Sequence, residues 1–310
     1  MSQQSQMEQL VAVIAVAEPQ EGGRAALQAG GLIEHGEPVR PLVQALETRL
    51  PQILEQATRF LRAAREAFPD ALSEQTGSGV RLGDSELPVE WVQSFAAEDY
   101  TALASWVALD WWCLPMIAAL TREPAERARL SGLREDAEPL VREHGTVQFF
   151  DMMLAAPSDE SLLFVDQRTR RAFELKMDGV AVNFELHTLL GVALAQPLGL
   201  QPPDPASIAA LFGELAAQAP HTVGMWNLYD HRALSTLDAG EEVGLDKWVW
   251  NEGRPEDIPK VDGTRLVVAG APPYERTWQT TRTFQALMPK VELVRELTPD
   301  EAAALLAQLG

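Results

Sequence analysis

The chain has 310 residues, a length that predicts about two folded domains, or one domain with a helical extension. Its residues are 46% hydrophobic and 23% charged, a composition that excludes a disordered chain. The formal net charge is −20, and the acidic excess is shared, with 12 basic against 22 acidic residues in the first 150 positions and 13 against 23 in the rest. Because cationic side chains supply most of the affinity for phosphate, we expect no nucleic-acid partner.

The cysteine content and the apolar runs bear on cellular location. A single cysteine, Cys113, excludes an internal disulfide framework and a multi-cysteine zinc site within one chain. A signal peptide has a basic segment before its apolar run, and no basic residue precedes the apolar run at residues 10–19. We therefore expect no signal peptide there. Residues 103–120 approach spanning length, but Asp110 interrupts them, so we predict a buried helix that Pro115 ends or kinks. The sequence therefore predicts a soluble, cytoplasmic protein without a membrane partner.

Helical periodicity dominates residues 1–157, which we expect to form a mostly helical region. In residues 40–67 the apolar positions recur at steps of three and four, which predicts an amphipathic helix pair broken near Pro51. The segment 70–90 is polar and glycine-punctuated, and it predicts a loop. The helical pattern then resumes from residue 91 to residue 154.

Beyond residue 157 the apolar positions begin to alternate, which is typical of strands. Residues 162–166 and 172–177 predict a β-hairpin, in which Phe173, Leu175 and Met177 point to one face. Asp178-Gly179 predicts a tight turn. A short strand to Val182 follows, and then a helix with Asn183 as its N-cap.

Further elements are expected after residue 200. Residues 205–218 predict a helix and residues 222–230 a strand. The continuous apolar run 264–270 favours a strand buried on both faces.

The last elements complete a predicted β-α-β-α unit. We expect a helix over 275–288, a strand at VELVREL and a final helix that begins at Thr298-Pro299-Asp300-Glu301. That start combines a capping box with proline at the first helical position. The predicted fold class is therefore α+β, with a helical N-terminal half followed by a mixed β-sheet with helices over residues 158–310.

Recognition chemistry is densest between residues 246 and 278, where aromatic residues alternate with charged residues, glycines and prolines. The loop after strand 264–270 leaves the edge at which α/β sheets commonly bind ligands. We expect the aromatic and basic side chains of this stretch to converge there, with a histidine from the helix after residue 182 completing the site. The alternative is that these side chains only pin a long loop to the core. The candidate binding residues are Trp250, Asn251, Glu252, Arg254, Tyr274, Arg276, Trp278 and His187.

No catalytic motif accompanies this stretch. The chain has no His-Glu-x-x-His pattern and no Walker-type phosphate loop, and we expect neither a metal nor a cofactor. The sequence favours an acidic binding or protein-interaction protein, whose partner is a cationic protein or a small anionic ligand. The alternative is a hydrolase or transferase with a pocket formed by the 250–278 loops. Whether the chain is an enzyme, and its oligomeric state, stay open at this point.

Overall fold

The computed structural model describes residues 3–69, 80–82, 85–213 and 221–309. The chain divides into two compact units, Met1–Leu154 and Ala155–Gly310. Helices make up most of the first unit, and a mixed sheet with helices forms the second, which confirms the predicted α+β class.

Nine helices and one short strand pair are described in the first unit. Most of the loop predicted over 70–90 lies outside the described residues, but its 81–86 part contains the strand pair. The elements are α1 (Gln3–Val16), α2 (Pro19–Glu34), α3 (Arg40–Ala67), β1 (Arg81–Leu82), β2 (Ser85–Glu86), α4 (Val89–Glu98), α5 (Tyr100–Val107), α6 (Leu109–Leu120), α7 (Pro124–Arg129), α8 (Leu133–Ala137) and α9 (Gly145–Ala155).

The prediction of a helix pair broken near Pro51 is wrong, because α3 is one continuous helix with Pro51 inside it. A proline in a helix interior costs about 3 kcal/mol through a lost hydrogen bond and a steric clash. Apolar side chains are buried along both halves of α3, and this burial outweighs the local cost. The buried apolar side chains before the proline include Leu42, Leu46 and Leu50, and those after it include Ile53, Leu54 and Phe60.

The helix expected over 103–120 is two helices, α5 and α6, which meet at Ala108 with a bend of 46°. Pro115 lies within α6 rather than ending it. Trp106 and Trp112 are buried, as expected for helices of the interior. Among the described residues no single helix is long and apolar enough to cross a membrane, and α5 with α6 is a bent pair of that length and composition.

Glycines of α2 let α6 approach its backbone closely. A Cβ atom on Gly23 would lie 2.9 Å from Trp112 Nε1 and 3.0 Å from Trp111 Cβ. A Cβ atom on Gly30 would lie 2.9 Å from Pro115 Cβ. Because real Cβ atoms keep a greater distance from other atoms, side chains at these positions would force the two helices apart.

Gly23→Ala is therefore expected to lower the free energy of unfolding by about 1–2 kcal/mol, although alanine has a helix propensity about 1 kcal/mol better than glycine. Gly31 lies on the same helix, and a Cβ atom there would have no neighbour within 4 Å. Gly31→Ala is expected to raise the free energy of unfolding by about 0.5–1 kcal/mol. Urea denaturation of both variants checks this contrast, and a shift in the same direction for both would contradict it.

The second unit has a mixed sheet, a two-stranded sheet and several helices as its elements. They are β3 (Glu160–Asp166), β4 (Arg171–Asp178), α10 (Asn183–Leu198), α11 (Pro205–Phe212), β5 (His221–Val223), β6 (Asn227–Asp230), α12 (Leu234–Asp238), β7 (Lys260–Val261), β8 (Thr264–Gly270), β9 (Thr277–Gln279), β10 (Lys290–Glu296) and α13 (Pro299–Leu309).

The main sheet has the order β10-β4-β3-β8-β6, and β7 also pairs with β8. β3 and β8 are parallel, whereas the other pairs are antiparallel. Leu266 and Val268 of β8 enter one core and Val267 and Ala269 enter the other, so the strand is buried on both faces as predicted.

Two local predictions are confirmed in this unit. β3 and β4 form the expected hairpin, with Phe164 opposite Phe173. The capping box at the start of α13 is present, because Thr298 N–H donates to Glu301 Oε2 at 2.8 Å and Glu301 N–H donates to Thr298 Oγ1 at 3.3 Å. The patterns that predicted the hairpin and the capping box each lie within a short stretch of sequence, so no distant residue was needed to predict them.

The helix expected over 275–288 is wrong. This segment contains β9 and turns, and β9 pairs with β5, with Trp278 opposite Thr222. Several β-branched threonines follow Arg276, and they favour extended backbone over helix. The chain therefore does not end in a β-α-β-α unit, and β4 and β3 separate β10 from β8 in the sheet.

Three smaller expectations also differ. The strand predicted over 222–230 is divided into β5 and β6, which belong to different sheets. No strand is present at 179–182, and Val182 is the N-cap of α10. The helix predicted over 205–218 ends at Phe212 as α11, and residues 214–218 lie outside the described residues.

Candidate functional site

The start of α10 holds the loop that carries Trp250. Asn183 N–H donates to Gly253 O at 2.9 Å, and Phe184 N–H donates to Asn251 O at 3.0 Å. Asn183 does not cap the helix as predicted; its Nδ2 donates to Trp250 O at 2.8 Å. The first-turn amides, which have no partner within a helix, are thus used to fix the position of this loop.

Glu185 joins the start of α10 to the segment after β9. Its carboxylate is 1% exposed and accepts from Ala181 N–H at 2.8 Å and from Thr283 N–H at 2.7 Å. Burial raises the pKa of Glu185, although the backbone N–H groups act to lower it. Sequence reasoning missed this residue; the available signal was a glutamate at the third helical position, where the glutamate of a capping box lies.

An aromatic cluster forms around Trp248. Its ring centroid lies 5.1 Å from that of Trp250, 6.5 Å from that of Tyr274 and 5.9 Å from that of Tyr229. Tyr229 is buried, whereas Trp250 is 41% exposed and Tyr274 is 57% exposed. We call these four residues the aromatic cluster; it presents exposed ring surface to solvent.

Arg276 lies against this cluster at the C-terminal end of β8. Its guanidinium carbon is 5.7 Å from the centre of the Trp248 ring, and Nη1 donates to Asn227 Oδ1. Asn227 is opposite Gly270, the last residue of β8. Arg276 is only 9% exposed, yet it forms no ion pair with any carboxylate in the described part of the chain. A buried cation without a counter-charge is costly and calls for an explanation.

His187 and Trp278 pack together, with ring centroids 5.6 Å apart. His187 is 4% exposed, and within the described ranges neither ring nitrogen makes a hydrogen bond of good geometry. Burial and the nearby charge of Arg276 lower the pKa of His187 to about 3, against a weak opposing contact with the Val249 backbone. The imidazole is therefore neutral near pH 7.

The structure brings Trp250, Tyr274 and Arg276 together through Trp248, which sequence reasoning did not select. Arg254 instead contacts its own turn, where its N–H donates to Asp257 at 2.9 Å and its Nη1 to Glu256 at 3.2 Å.

The other predicted residues have different surroundings. Asn251 is buried in its loop, and its backbone carbonyl accepts from Phe184 N–H at the start of α10. Glu252 is exposed. Asn227 and Tyr229 were also missed, because only the pairing of β6 with β8 brings them to this edge.

Comparisons of the chain with protein-family models, with curated proteins and with solved structures find no match. Among the residues that the structure describes, no group of three or more histidines, cysteines and carboxylates is placed to hold a metal ion. The chemistry of the site itself is therefore the basis for a functional proposal.

Proposed function

We propose that the second unit binds a small organic anion, with the anionic group at Arg276 and the body of the ligand on the aromatic cluster. The observation that carries this proposal is the buried guanidinium without a counter-charge. Guanidinium has five N–H donors in a planar fork, and the bond to Asn227 uses one of them. A carboxylate or a phosphate is the group that this fork binds best, through paired, charge-assisted hydrogen bonds.

The exposed rings support an apolar or planar ligand body. Trp250 and Tyr274 keep much of their surface in water although both lie near Trp248. Aromatic faces stack on planar groups and cover apolar ones. Binding sites commonly combine such surfaces with a few polar groups that fix the orientation of the ligand.

Binding is better supported than the alternative of a hydrolase or transferase. A general base works best when its pKa lies near the working pH, and the pKa of His187 is about 3. Burial raises the pKa of the Cys113 thiol, which keeps it protonated and unreactive.

The charge of the chain bears on larger partners. We propose that a protein partner that carries the anionic ligand group is cationic as a whole, since the net charge of this chain is −20. For the same reason we propose that the chain binds neither nucleic acid nor anionic lipid. A cytoplasmic location agrees with a single cysteine that is buried and unpaired.

Isothermal titration with 4-methylbenzoate and with phenyl phosphate tests the proposal and separates carboxylate from phosphate. Arg276→Met is expected to weaken binding of the preferred probe by about 10- to 100-fold, the range for loss of a charge-assisted hydrogen bond. The melting temperature should fall by only a few degrees, because methionine keeps the contact with Trp248 and removes a buried charge, while Asn227 Oδ1 loses one donor.

Arg295→Met is the matched control, because it removes the same charge from β10, where Arg295 contacts Glu174 and Glu301. Its affinity for the probes should equal that of the wild type. Absence of binding of both probes to the wild type at millimolar concentration would contradict the proposal. Equal affinity in Arg276→Met, or a fall of many degrees in its melting temperature, would assign Arg276 to the stability of the fold instead.

A further inference from the structure

A pocket of about 150 Å³ lies beside the aromatic cluster, and Trp248 and Trp250 form part of its wall. This volume is about five times the share of one water molecule in the liquid, enough for a small polar group and its attached carbon. The polar side chains that line it are Asn183, Asp230, Arg232, Asp246 and Asp257.

The lining is acidic. Arg232 is bound to Asp230, which accepts from its Nη2 at 2.5 Å and from its backbone N–H at 2.8 Å. Asp230 is 3% exposed, so this pair is a fixed part of the wall. Asp246 and Asp257 also line the pocket, so three acidic residues and one basic residue belong to its described lining. Asp257 Oδ2 accepts from Arg254 N–H at 2.9 Å and keeps its negative charge. The pocket therefore favours a cationic group.

Asn183 gives a second, independent indication of the same ligand chemistry. Its side chain is 1% exposed, and its Nδ2 donates to Trp250 O at 2.8 Å. Because a carbonyl can only accept, this bond fixes which amide atom is the oxygen. Asn183 Oδ1 is buried and has no hydrogen-bond partner in the described ranges. A buried acceptor without a donor costs about 1–3 kcal/mol, which a donor from a ligand would remove.

We infer that this pocket receives a primary ammonium group of the same ligand whose anionic group binds Arg276. An ammonium has three donors and no acceptor, which matches a pocket whose lining residues include aspartates and an asparagine with an unpartnered amide oxygen. Trp248 borders the pocket and also lies 5.7 Å from the Arg276 guanidinium carbon, so one indole adjoins both charged positions. The ligand class is therefore an amphoteric molecule with its amine and its acid on either side of a planar or apolar body. This inference rests on the proposed function, since it assigns the second end of that ligand.

Three probes that share one benzene ring test the inference by titration calorimetry. They are 4-(aminomethyl)benzoate, which carries both charges, 4-methylbenzoate, which carries only the anion, and the methyl ester of 4-(aminomethyl)benzoate, which carries only the cation. The wild type is expected to bind the amphoteric probe at least about tenfold more tightly than 4-methylbenzoate, as one added charge-assisted hydrogen bond predicts.

Asp246→Asn removes one carboxylate of the pocket from an exposed residue. It is expected to weaken the amphoteric probe about fivefold and to leave 4-methylbenzoate unchanged. Glu242→Gln is the matched control, because Glu242 is an exposed acid of the segment before Trp248 that does not line the pocket, and it should change neither affinity.

The outcomes separate this inference from the proposed function. If 4-methylbenzoate binds through Arg276 but the added ammonium gives no gain, the inference is overturned and the anion site stands. If Asp246→Asn weakens both probes equally, Asp246 supports the shape of the site and the ammonium assignment is overturned. If Arg276→Met leaves the affinity for 4-methylbenzoate unchanged, the proposed function and this inference both fail.

Discussion

Trp112→Ala is expected to lower the free energy of unfolding by about 4 kcal/mol, in the range for loss of a fully buried aromatic side chain. Trp112 is fully buried, and Nε1 donates to Pro19 O at 2.8 Å. Its ring lies directly on the backbone of α2, at Gly22 and Gly23. Alanine would leave a cavity against Gly22 and Gly23, which have no side chains to fill it, and it would remove this donor from the Pro19 carbonyl.

Trp111→Ala is the matched control for this prediction. Trp111 is partly exposed, and Arg24 lies over its ring at 5.2 Å from the centroid. Loss of this contact is expected to cost only about 1 kcal/mol. Urea denaturation followed by circular dichroism measures both variants. Equal losses in the two would show that the packing of α6 on α2 does not depend on the buried indole.

The elements that the sequence predicted well carry their signal within a few residues. Three local patterns predict an element correctly: the apolar run of β8, the alternation in β4 and the capping box at Thr298. The two strand patterns also predict which faces of the strand are buried. Packing on both sides of these elements agrees with the local pattern, so nothing overrides it. That agreement is why the α+β class was predictable.

The elements that differ depend on contacts made by distant residues. Pro51 is tolerated because the whole apolar face of α3 is buried, which local rules cannot foresee. The segment around Trp278 is extended because it pairs with β5, more than fifty positions earlier. Local periodicity does not contain that partner, and so a helix was expected in its place.

The candidate site shows the same division. The density of aromatic and basic residues along the chain, which is visible in the sequence, marked Trp250, Tyr274 and Arg276. The amide groups that complete the site, Asn183 and Asn227, come from α10 and β6. Their roles depend on the order of strands in the sheet, which the sequence left open.

The second large effect is expected at Glu185, which is missing from the sequence prediction. Glu185→Ala should lower the free energy of unfolding by about 3 kcal/mol, because it removes the acceptor of two backbone N–H groups. One donor is Ala181 N–H, before α10, and the other is Thr283 N–H, after β9. The hydrogen bond from Ala181 is buried, and the hydrogen bond from Thr283 is partly buried. Glu241→Ala, at an exposed loop position, is the control and should change the free energy of unfolding by less than about 0.5 kcal/mol.

The pH dependence of Glu185 has a definite sign. Burial raises the pKa of Glu185 in the folded protein above the usual value of 4.5, so the folded state holds its proton to a higher pH than the unfolded state. The stability contributed by this difference is fully present below pH 4.5, and it is lost as the pH rises through the folded pKa. Glu185→Gln cannot ionise and supplies the reference. Unfolding free energies of the two proteins, measured from about pH 4 to about pH 7, should therefore show the wild type losing stability relative to Glu185→Gln as the pH rises. A relative gain of the wild type over that interval would mean that its two backbone donors outweigh burial and hold the pKa of Glu185 below 4.5.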